Sequence, residues 1–257
     1  MVIVLYVSLS LMGLIILYIL AAFVYSLILT KKRPIKALYD KRKSAGHFCS
    51  YDKLPYKIID IVLSLEDAKF FKHNGYDLIA IKNAFFRNIK QKRIVFGGST
   101  ITQQLAKNLY LSFKPFFFRK LSELFLSLNI EKNLTKIEIL EMYLNIIYYG
   151  NNQYGIYDAA DYYFNKNCED LTVNQSFFLI CLLSAPTAAN PLKNPNMFTK
   201  VRNKKIGQVM WIGEDKKYIH IILDHNTENL DEELVKHEVI VDNKAKMINE
   251  KYNRGVF

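Results

Sequence analysis

The hydrophobic and polar positions of this chain repeat with a helical period over most of its length. Six segments carry apolar residues at spacings of three and four, which predicts α-helices over residues 54–73, 77–89, 99–110, 116–133, 135–150 and 172–186. Capping boxes are predicted at Thr100, Thr135 and Thr172. Beyond about Pro195, the short β-branched runs KYIHIILDH and HEVIVDN predict a small hairpin. The pattern therefore indicates a mainly α-helical fold.

Residues 1–30 predict a transmembrane anchor. Met1 to Leu29 carries no charged side chain, and about 20 apolar residues are enough to cross a bilayer. A cleaved signal peptide is the alternative, but no basic stretch precedes the apolar run and no convincing cleavage site ends it. The segment KKRPIKALYDKRK follows and opens a basic linker over residues 31–53. Taken alone, the positive-inside rule would leave the main domain in the cytoplasm.

The stretch GGSTITQQLAKNLY, residues 97–110, is a candidate anion site. Its two glycines allow a tight turn, and the first amides of the helix that follows have no partner within the helix. Such a helix start attracts phosphate or pyrophosphate. Gln103 and Lys107 lie four residues apart and share one face. An ordinary capped surface helix is the alternative, and the spacing differs from that of a nucleotide-binding P-loop.

Two glutamates are candidate catalytic groups. Glu66 lies on an apolar stripe of the first predicted helix, together with Ile59, Val62, Leu63, Phe70 and His73. A carboxylate buried without a cation becomes a stronger base, so Glu66 is a candidate general base. The alternative is a glutamate at a helix end that turns outward or pairs with Lys69. Asp67 lies off the stripe and is expected to be structural, and His73 is expected to cap or pack.

Glu123 is the second candidate, because Arg119 and Lys120 lie one turn before it. The alternative is a surface ion pair worth a few tenths of a kcal/mol. The run FKPFFF, Phe113 to Phe118, has three consecutive phenylalanines between Lys114 and Arg119. It predicts either a contact with the membrane interface or a buried aromatic wedge.

Charge and cysteine content narrow the choice of partner. The net charge of +11 indicates an anionic partner, and with an anchor present lipid headgroups or a lipid-linked phosphate are favoured over nucleic acid. Cys49, Cys168 and Cys181 are widely spaced and form no CxxC pair, so they predict neither a disulfide framework nor a metal site. Cys181 is interpreted as a small buried apolar residue.

Five ordered segments of the chain resemble the motifs of the peptidoglycan glycosyltransferases, the domain family of class A penicillin-binding proteins. They are EDAKFFKHNGYD (66–77), GGSTITQQLAKNLY (97–110), RKLSE (119–123), ILEMYLNIIYYGNNQYGIYDAADYYF (139–164) and LTVNQSFFLICLLSAPTAANP (171–191). No transpeptidase domain follows, so the chain resembles the monofunctional, membrane-anchored form. The resemblance places the glycosyltransferase domain at residues 54–195 and leaves residues 196–257 as a C-terminal extension of unknown role.

The resemblance implies a lysozyme-like helical large lobe and a smaller jaw lobe that dips into the membrane. It also implies polymerisation of lipid II into glycan strands, with inversion and release of undecaprenyl pyrophosphate. Glu66 would be the base, and Glu123 would orient cations, because a pyrophosphate leaving group needs charge stabilisation rather than a proton. The residues expected to bind substrate are Ser99, Thr100, Gln103, Gln104, Lys107, Asn108, Lys114, Arg119 and Lys120.

Further expectations concern partners and location. The implied partners are lipid II, the growing lipid-linked glycan, the membrane and other cell-wall synthesis proteins, but not nucleic acid. No cofactor is obligatory, and a divalent cation, Mg²⁺ or Mn²⁺, near the pyrophosphate is left open. The implied location is the bacterial inner membrane, with a single span and the catalytic domain on the outer face. This orientation is opposite to the one that the basic segment after the anchor indicates by the positive-inside rule.

Two departures from the family pattern bear on the donor site. Lys114 stands in a neighbourhood that often carries an arginine, and Phe96 replaces a common glutamine. A lysine binds phosphate less specifically than an arginine does. The alternative functions are a lysozyme-like enzyme that cleaves glycan and a non-enzymatic membrane scaffold that binds anionic lipid.

Overall fold

The structure is a computed structural model that describes residues 1–92, 97–111 and 116–212. Over this range the chain is mainly α-helical, which confirms the predicted fold class, and its β-structure is limited to an isolated antiparallel bridge between Tyr148 and Tyr154. The helices are α1 (Val2–Lys32), α2 (Ile35–Ser44), α3 (Tyr56–Glu66), α4 (Leu78–Lys90), α5 (Ile101–Tyr110), α6 (Phe116–Asn133), α7 (Lys136–Ile146), α8 (Ile156–Phe164), α9 (Val173–Leu182) and α10 (Pro195–Ile212).

Side-chain caps fix where several of these helices begin. Thr100 opens α5 and Thr172 opens α9, each in a capping box completed by the glutamine three residues later. Thr135 and Glu138 make the reciprocal bonds before α7, with Thr135 N–H donating to Glu138 Oε2 at 2.8 Å. Asp77 accepts the amides of Ile79 and Ala80 to start α4. The three predicted capping boxes are therefore confirmed.

The first predicted helix is shorter than its apolar pattern indicates. The pattern continues to His73, but α3 ends at Glu66 and is followed by a bend and a short 3₁₀ turn at Phe70–Lys72. The prediction of one continuous stripe from Ile59 to His73 is therefore wrong. The chain leaves the helix at Asp67. There the carboxylate accepts the Ile101 amide and contacts His73, and these contacts hold the residue in its non-helical position.

The chain divides into two compact units. The first consists of Met1–Gly46 and Glu66–Leu144, and it contains α1, α2, α4, α5, α6 and most of α7. The second consists of His47–Leu65 and the described residues from Asn145 onward, and it contains α8, α9, α10 and all of α3 except Glu66.

Helix α1 is the one segment of the described residues that is long and apolar enough to cross a membrane. Its second half packs against α6 within the first unit. Phe23 meets Phe125 edge to face with ring centres 5.3 Å apart, and Tyr18 and Tyr25 both contact Phe118. The apolar residues Leu121, Leu124, Phe125 and Leu128 are not the buried face of α6. The buried residues of this helix are Ser122, Glu123, Leu126, Ser127 and Ile130.

The basic segment after the anchor is a helix docked on the first unit. Ile35 and Tyr39 of α2 are buried. Lys36 Nζ lies 2.6 Å from Glu138 Oε1, and the Tyr39 hydroxyl donates to Glu141. Burial alone would raise the pKa of Glu138, but hydrogen bonds from Lys36 and Thr135 outweigh it and lower that pKa. Burial and the neighbouring Glu141 raise the pKa of Tyr39.

A disulfide joins Cys49 to Cys168 in the second unit, across 119 residues of sequence. The expectation that the cysteines form no disulfide is therefore wrong for this pair. Cys49 is also held by Asn145, whose side chain accepts the Cys49 amide and donates to its carbonyl, both at 2.8 Å. Cys181 is fully buried in α9, as predicted.

Three sequence predictions lie outside the described residues. They concern the C-terminal hairpin, the role of Lys114, and the replacement at Phe96. Helix α10 begins at Pro195, and the sequence pattern did not predict a helix there.

Candidate active site

The site is built around the start of α5 in the first unit. Thr100 is buried, and its hydroxyl donates to the Gly75 carbonyl at 2.7 Å, which ties the turn at Gly75 to this helix. Gly75 has a φ of +91°, which favours glycine. The structure has no turn at residues 97–98, where the two glycines allowed one. A Cβ at Gly98 would lie 2.8 Å from Ile81 Cα, so close packing on α4 explains the glycine there.

Asp67 fastens the chain after α3 to the start of α5. Its Oδ2 accepts the Ile101 amide at 3.0 Å, and His73 Nε2 lies 3.0 Å from both carboxylate oxygens. The side chains of Asp67 and His73 are 5% and 8% exposed, which makes this a buried pair. The structural roles expected of both residues agree with this placement, and Asp67 fixes its neighbour Glu66 beside α5.

Glu66 is the last residue of α3 and is half-buried. Gln104 Nε2 on α5 donates to Glu66 Oε2 at 3.1 Å, and the Tyr143 hydroxyl on α7 donates to Gln104 Oε1 at 3.0 Å. The cation proposed as an alternative partner for Glu66, Lys69, is 3.9 Å from Asp77. The carboxylate of Glu66 is therefore oriented by a neutral amide.

Glu123 lies on the buried face of α6 and is only 2% exposed. Lys120 Nζ is 2.6 Å from Glu123 Oε2, and Arg119 Nε is 3.3 Å from Oε1. The same Lys120 nitrogen donates to Ser99 Oγ at 2.6 Å, which joins α6 to the segment before α5. The surface ion pair considered as an alternative does not describe Glu123, because its carboxylate is buried. We call Ser99, Arg119, Lys120 and Glu123 the cation cluster.

Of the remaining predicted binding residues of α5, one is buried and two are exposed. Gln103 is 4% exposed, and its Oε1 accepts the Thr100 amide. Lys107 and Asn108 are exposed, and Asn108 Nδ2 donates to the Gln104 carbonyl at 2.9 Å. Gln103 and Lys107 therefore do not present one common surface.

Protein acceptors already occupy several amides at the start of α5. The Thr100 amide goes to Gln103, the Ile101 amide to Asp67, and the Gln103 amide to the Thr100 hydroxyl. The expectation that this helix start receives phosphate through such amides is not met at these three positions. The side-chain cations nearby are Lys120 and Arg119, which share one carboxylate, Glu123, and so leave a net positive charge there.

Most of the chain matches a known protein family. A model of the transglycosylase family matches residues 31–210. The chain belongs to the transglycosylase family. Its fold is therefore the mainly α, lysozyme-like fold that the sequence motifs implied.

Several penicillin-binding proteins are similar to this transglycosylase. Penicillin-binding protein 4 of Bacillus subtilis is 44% identical over 156 residues, which are 61% of this chain and 25% of that protein. Penicillin-binding protein 1A of Pseudomonas aeruginosa is 38% identical over 187 residues, which are 70% of this chain and 23% of that protein. The chain thus spans about a quarter of the length of these relatives.

The matched region of the transglycosylase begins at residue 31 and so includes the docked helix α2. It also contains Glu66, the cation cluster and Tyr143. Sequence reasoning missed Tyr143, because an aromatic residue within an apolar helical run is indistinguishable from core. Two signals could have found it: its place within the motif at residues 139–164, and its position four residues after Ile139, on the same face of α7.

Proposed function

We propose that the protein is a peptidoglycan glycosyltransferase that joins lipid II units into glycan strands. The observation that carries the proposal is the cation cluster, in which Lys120 bridges Ser99 and the buried Glu123. A hydrolase acting on an uncharged glycosidic bond has no need of such a cluster, whereas a pyrophosphate leaving group does. Membership of the transglycosylase family supports the same reaction class.

Glu66 acts as the general base. The acceptor's 4-hydroxyl oxygen bonds to the donor's anomeric carbon from the face opposite the leaving group, and Glu66 takes the hydroxyl proton. The bond from the anomeric carbon to the pyrophosphate oxygen breaks, and its electron pair stays on the pyrophosphate. Attack from the opposite face inverts the configuration at that carbon. The hydrogen bond from Gln104 supports this role, because it orients the carboxylate without supplying a competing positive charge.

Arg119 and Lys120 stabilise the charge that develops on the leaving pyrophosphate. Glu123 holds the two cations at 3.3 and 2.6 Å and is enclosed by them, so it is a positioning group rather than a proton donor. The Ser99 hydroxyl offers a further hydrogen bond, and exposed Lys107 extends the positive surface along α5. Because the groups are fixed before substrate arrives, little reorganisation is needed in the transition state.

A divalent cation held by the protein does not fit this donor set. Among the described residues there is no group of three or more His, Cys, Asp or Glu side chains arranged to bind a metal. The nearest carboxylate, Glu123, faces two cations, which would repel a metal ion. We therefore derive no step through a metal.

The domain after α1 lies on the outer face of the membrane in this proposal. The disulfide between Cys49 and Cys168 supports the orientation, because disulfides persist in oxidising compartments and are rare in the cytosol. Supply of lipid II to the site requires the same face. The basic residues of α2 then meet anionic headgroups of the outer leaflet.

Helix α4 supplies a membrane-contacting surface in this proposal. Its exposed large apolar side chains are Leu78, Ile79, Ile81, Phe85, Phe86 and Ile89, and Phe117 at the start of α6 is 75% exposed. Lys82 and Lys90 flank this apolar surface. An apolar surface bordered by cations is typical of a helix lying in the membrane interface. Part of FKPFFF has a different role, since Phe118 packs on α1.

Incubation of the detergent-solubilised protein with labelled lipid II, followed by gel separation, tests the proposal. Wild-type protein should form glycan polymer. Glu66→Gln keeps the size and polarity of the side chain but removes proton acceptance, so polymerisation should fall by about 10²–10⁴-fold while lipid II still binds. Glu169→Gln, which changes an exposed glutamate in the second unit, is the matched control.

Four outcomes would contradict the proposal or one part of it. Near-normal polymerisation by folded Glu66→Gln protein would remove Glu66 as the base. Shortening of soluble glycan strands with lipid II untouched would indicate a hydrolase, and binding without polymer would indicate a scaffold. A C-terminal reporter fusion that is active only in the cytoplasm would exclude the proposed orientation.

A further inference from the structure

We infer that Tyr143 is a positioning residue for Glu66 and that it acts through the side-chain amide of Gln104. The inference rests on the proposed role of Glu66 as the base, and it assigns to Gln104 a task other than substrate binding. The chain of hydrogen bonds lies within the first unit: Glu66 is the last residue of α3, Gln104 lies on α5 and Tyr143 lies on α7. The two donors in this chain, the Tyr143 hydroxyl and the Gln104 amide, are neutral.

Glu66 and Tyr143 hold the Gln104 amide from its two ends. The Tyr143 hydroxyl lies 3.0 Å from Gln104 Oε1, and Gln104 Nε2 lies 3.1 Å from Glu66 Oε2. If the amide rotated by half a turn, its carbonyl oxygen would face the carboxylate and two acceptors would meet. The carboxylate of Glu66 therefore selects the orientation in which the NH₂ group faces it, and the Tyr143 hydroxyl, by donating to the carbonyl oxygen, holds the amide in that place.

Tyr143 is suited to this task because packing holds its side chain in place. Tyr143 is fully buried, at 0% exposure, whereas Gln104 and Glu66 are half-buried. Helix α5 is fixed at its start by the bond from the Ile101 amide to Asp67, the residue next to Glu66. Gln104 lies one turn after Ile101, so adjacent residues, Glu66 and Asp67, both bind α5.

A fixed amide donor gives the base a fixed direction. A general base must present its oxygen within hydrogen-bond reach of the proton that it removes, and a small misplacement costs rate. Glu66 is the last residue of α3. The donated bond from Gln104 restrains the carboxylate plane, and loss of the Tyr143 hydroxyl would let the amide move away from Glu66 and weaken that restraint.

The test compares Tyr143→Phe, Gln104→Leu and the double variant in the full-length protein, with kcat and KM for lipid II measured separately. Tyr143→Phe should lower kcat by about fivefold or more, the effect of one hydrogen bond, with little change in KM. The double variant should be no slower than Gln104→Leu, because Tyr143 acts only through that amide. Tyr163→Phe is the matched control, since it removes a buried hydroxyl that donates to the Tyr149 carbonyl.

Each other result overturns the inference. An unchanged kcat for Tyr143→Phe, or a loss equal to that of Tyr163→Phe, would leave Tyr143 a structural residue. A raised KM alone would make Gln104 and Tyr143 substrate contacts, and additive losses in the double variant would separate Tyr143 from Gln104. The proposed function stands or falls independently, because it depends on polymer formed by wild type and lost in Glu66→Gln.

A second pair of variants keeps the inference testable if Tyr143→Phe does not fold. Gln104→Glu still accepts the Tyr143 hydroxyl but turns a carboxylate towards Glu66, whereas Gln104→Leu removes both bonds without adding charge. Gln104→Glu should therefore be the slower of the two. Equal rates would show that the group at position 104 does not act on Glu66, and would overturn the inference.

Discussion

Lys120 lies one turn before Glu123 on α6, and its ammonium nitrogen is 2.6 Å from an oxygen of that buried carboxylate. Arg119 approaches the other oxygen at 3.3 Å. Two cations share one carboxylate, so the cluster keeps one net positive charge while both cations are held in place. Such an arrangement suits an anionic ligand that arrives and leaves, because the cations need no new partner in its absence.

Replacement of Lys120 by methionine should weaken both substrate handling and folding. The variant removes the bridge from Ser99 to Glu123, so KM for lipid II should rise and turnover should fall. Because Lys120 is 37% exposed, we expect a stability loss of about 1–2 kcal/mol, below the value for a fully buried pair. Enzyme assays and thermal unfolding measure the two effects, with exposed Lys132→Met on the same helix as the control. Unchanged KM would contradict the proposed role.

Acid should weaken the docking of α2 through Glu138. The folded-state pKa of Glu138 is lowered, so its contribution to stability is present above the unfolded value of about 4.3 and is lost as pH falls through the folded value. Wild type should therefore lose stability relative to Glu138→Gln as the pH is lowered from 6 to 3. Thermal unfolding across this range measures the difference, and parallel curves for the two proteins would contradict it.

The disulfide should stabilise the second unit. Closing a loop of about 100 residues is worth about 4.7 kcal/mol in the chain-entropy model, and the Cys49–Cys168 separation is 119 residues. Cys49→Ser should therefore unfold at lower temperature than wild type and should no longer respond to a reductant. Cys181→Ala is the control that should keep the response. Equal melting temperatures for oxidised wild type and Cys49→Ser would contradict the expectation.

Helix α4 should contact lipid when the protein is in a bilayer. The chain has a single tryptophan, so a Trp211→Phe background allows a new tryptophan to report on its surroundings. Phe85→Trp should be quenched by lipids brominated on their acyl chains, because Phe85 is 61% exposed on the apolar surface. Lys132→Trp, near the other end of α6 from Phe117, should be quenched much less. Equal quenching at the two positions would exclude α4 as the membrane surface.

Helix positions and caps could be predicted from the sequence because they depend on local pattern. Thr100 and Gln103 form their capping box as the spacing indicates, and α6 has the predicted bounds. The break after Glu66 could not be predicted in this way, because a residue 34 positions away, Ile101, competes for Asp67. Local periodicity contains no information about such a distant partner.

The candidate site was predictable to a similar degree. Motifs identified Glu66, Lys120 and Glu123, and their chemistry explains why those residue types recur together. The contact from Tyr143 to Gln104 depends on how α7 packs against α5, and the disulfide depends on two cysteines brought together by the fold. Neither relationship has a spacing that could be recognised in the chain.

The docking of α2 has a mechanical consequence for a membrane enzyme. Lys36 and Tyr39 attach this helix to α7 within a few residues of the end of α1, and α1 itself packs on α6. The anchor is therefore packed against the first unit rather than joined to it by a free linker, and we expect it to hold the first unit at a set height and tilt relative to the membrane. A lipid-linked substrate diffuses in the plane of the bilayer, so it would meet Lys120 at one depth on every encounter. Lengthening the connection between α1 and α2 would change that height, although it would alter no residue of the site.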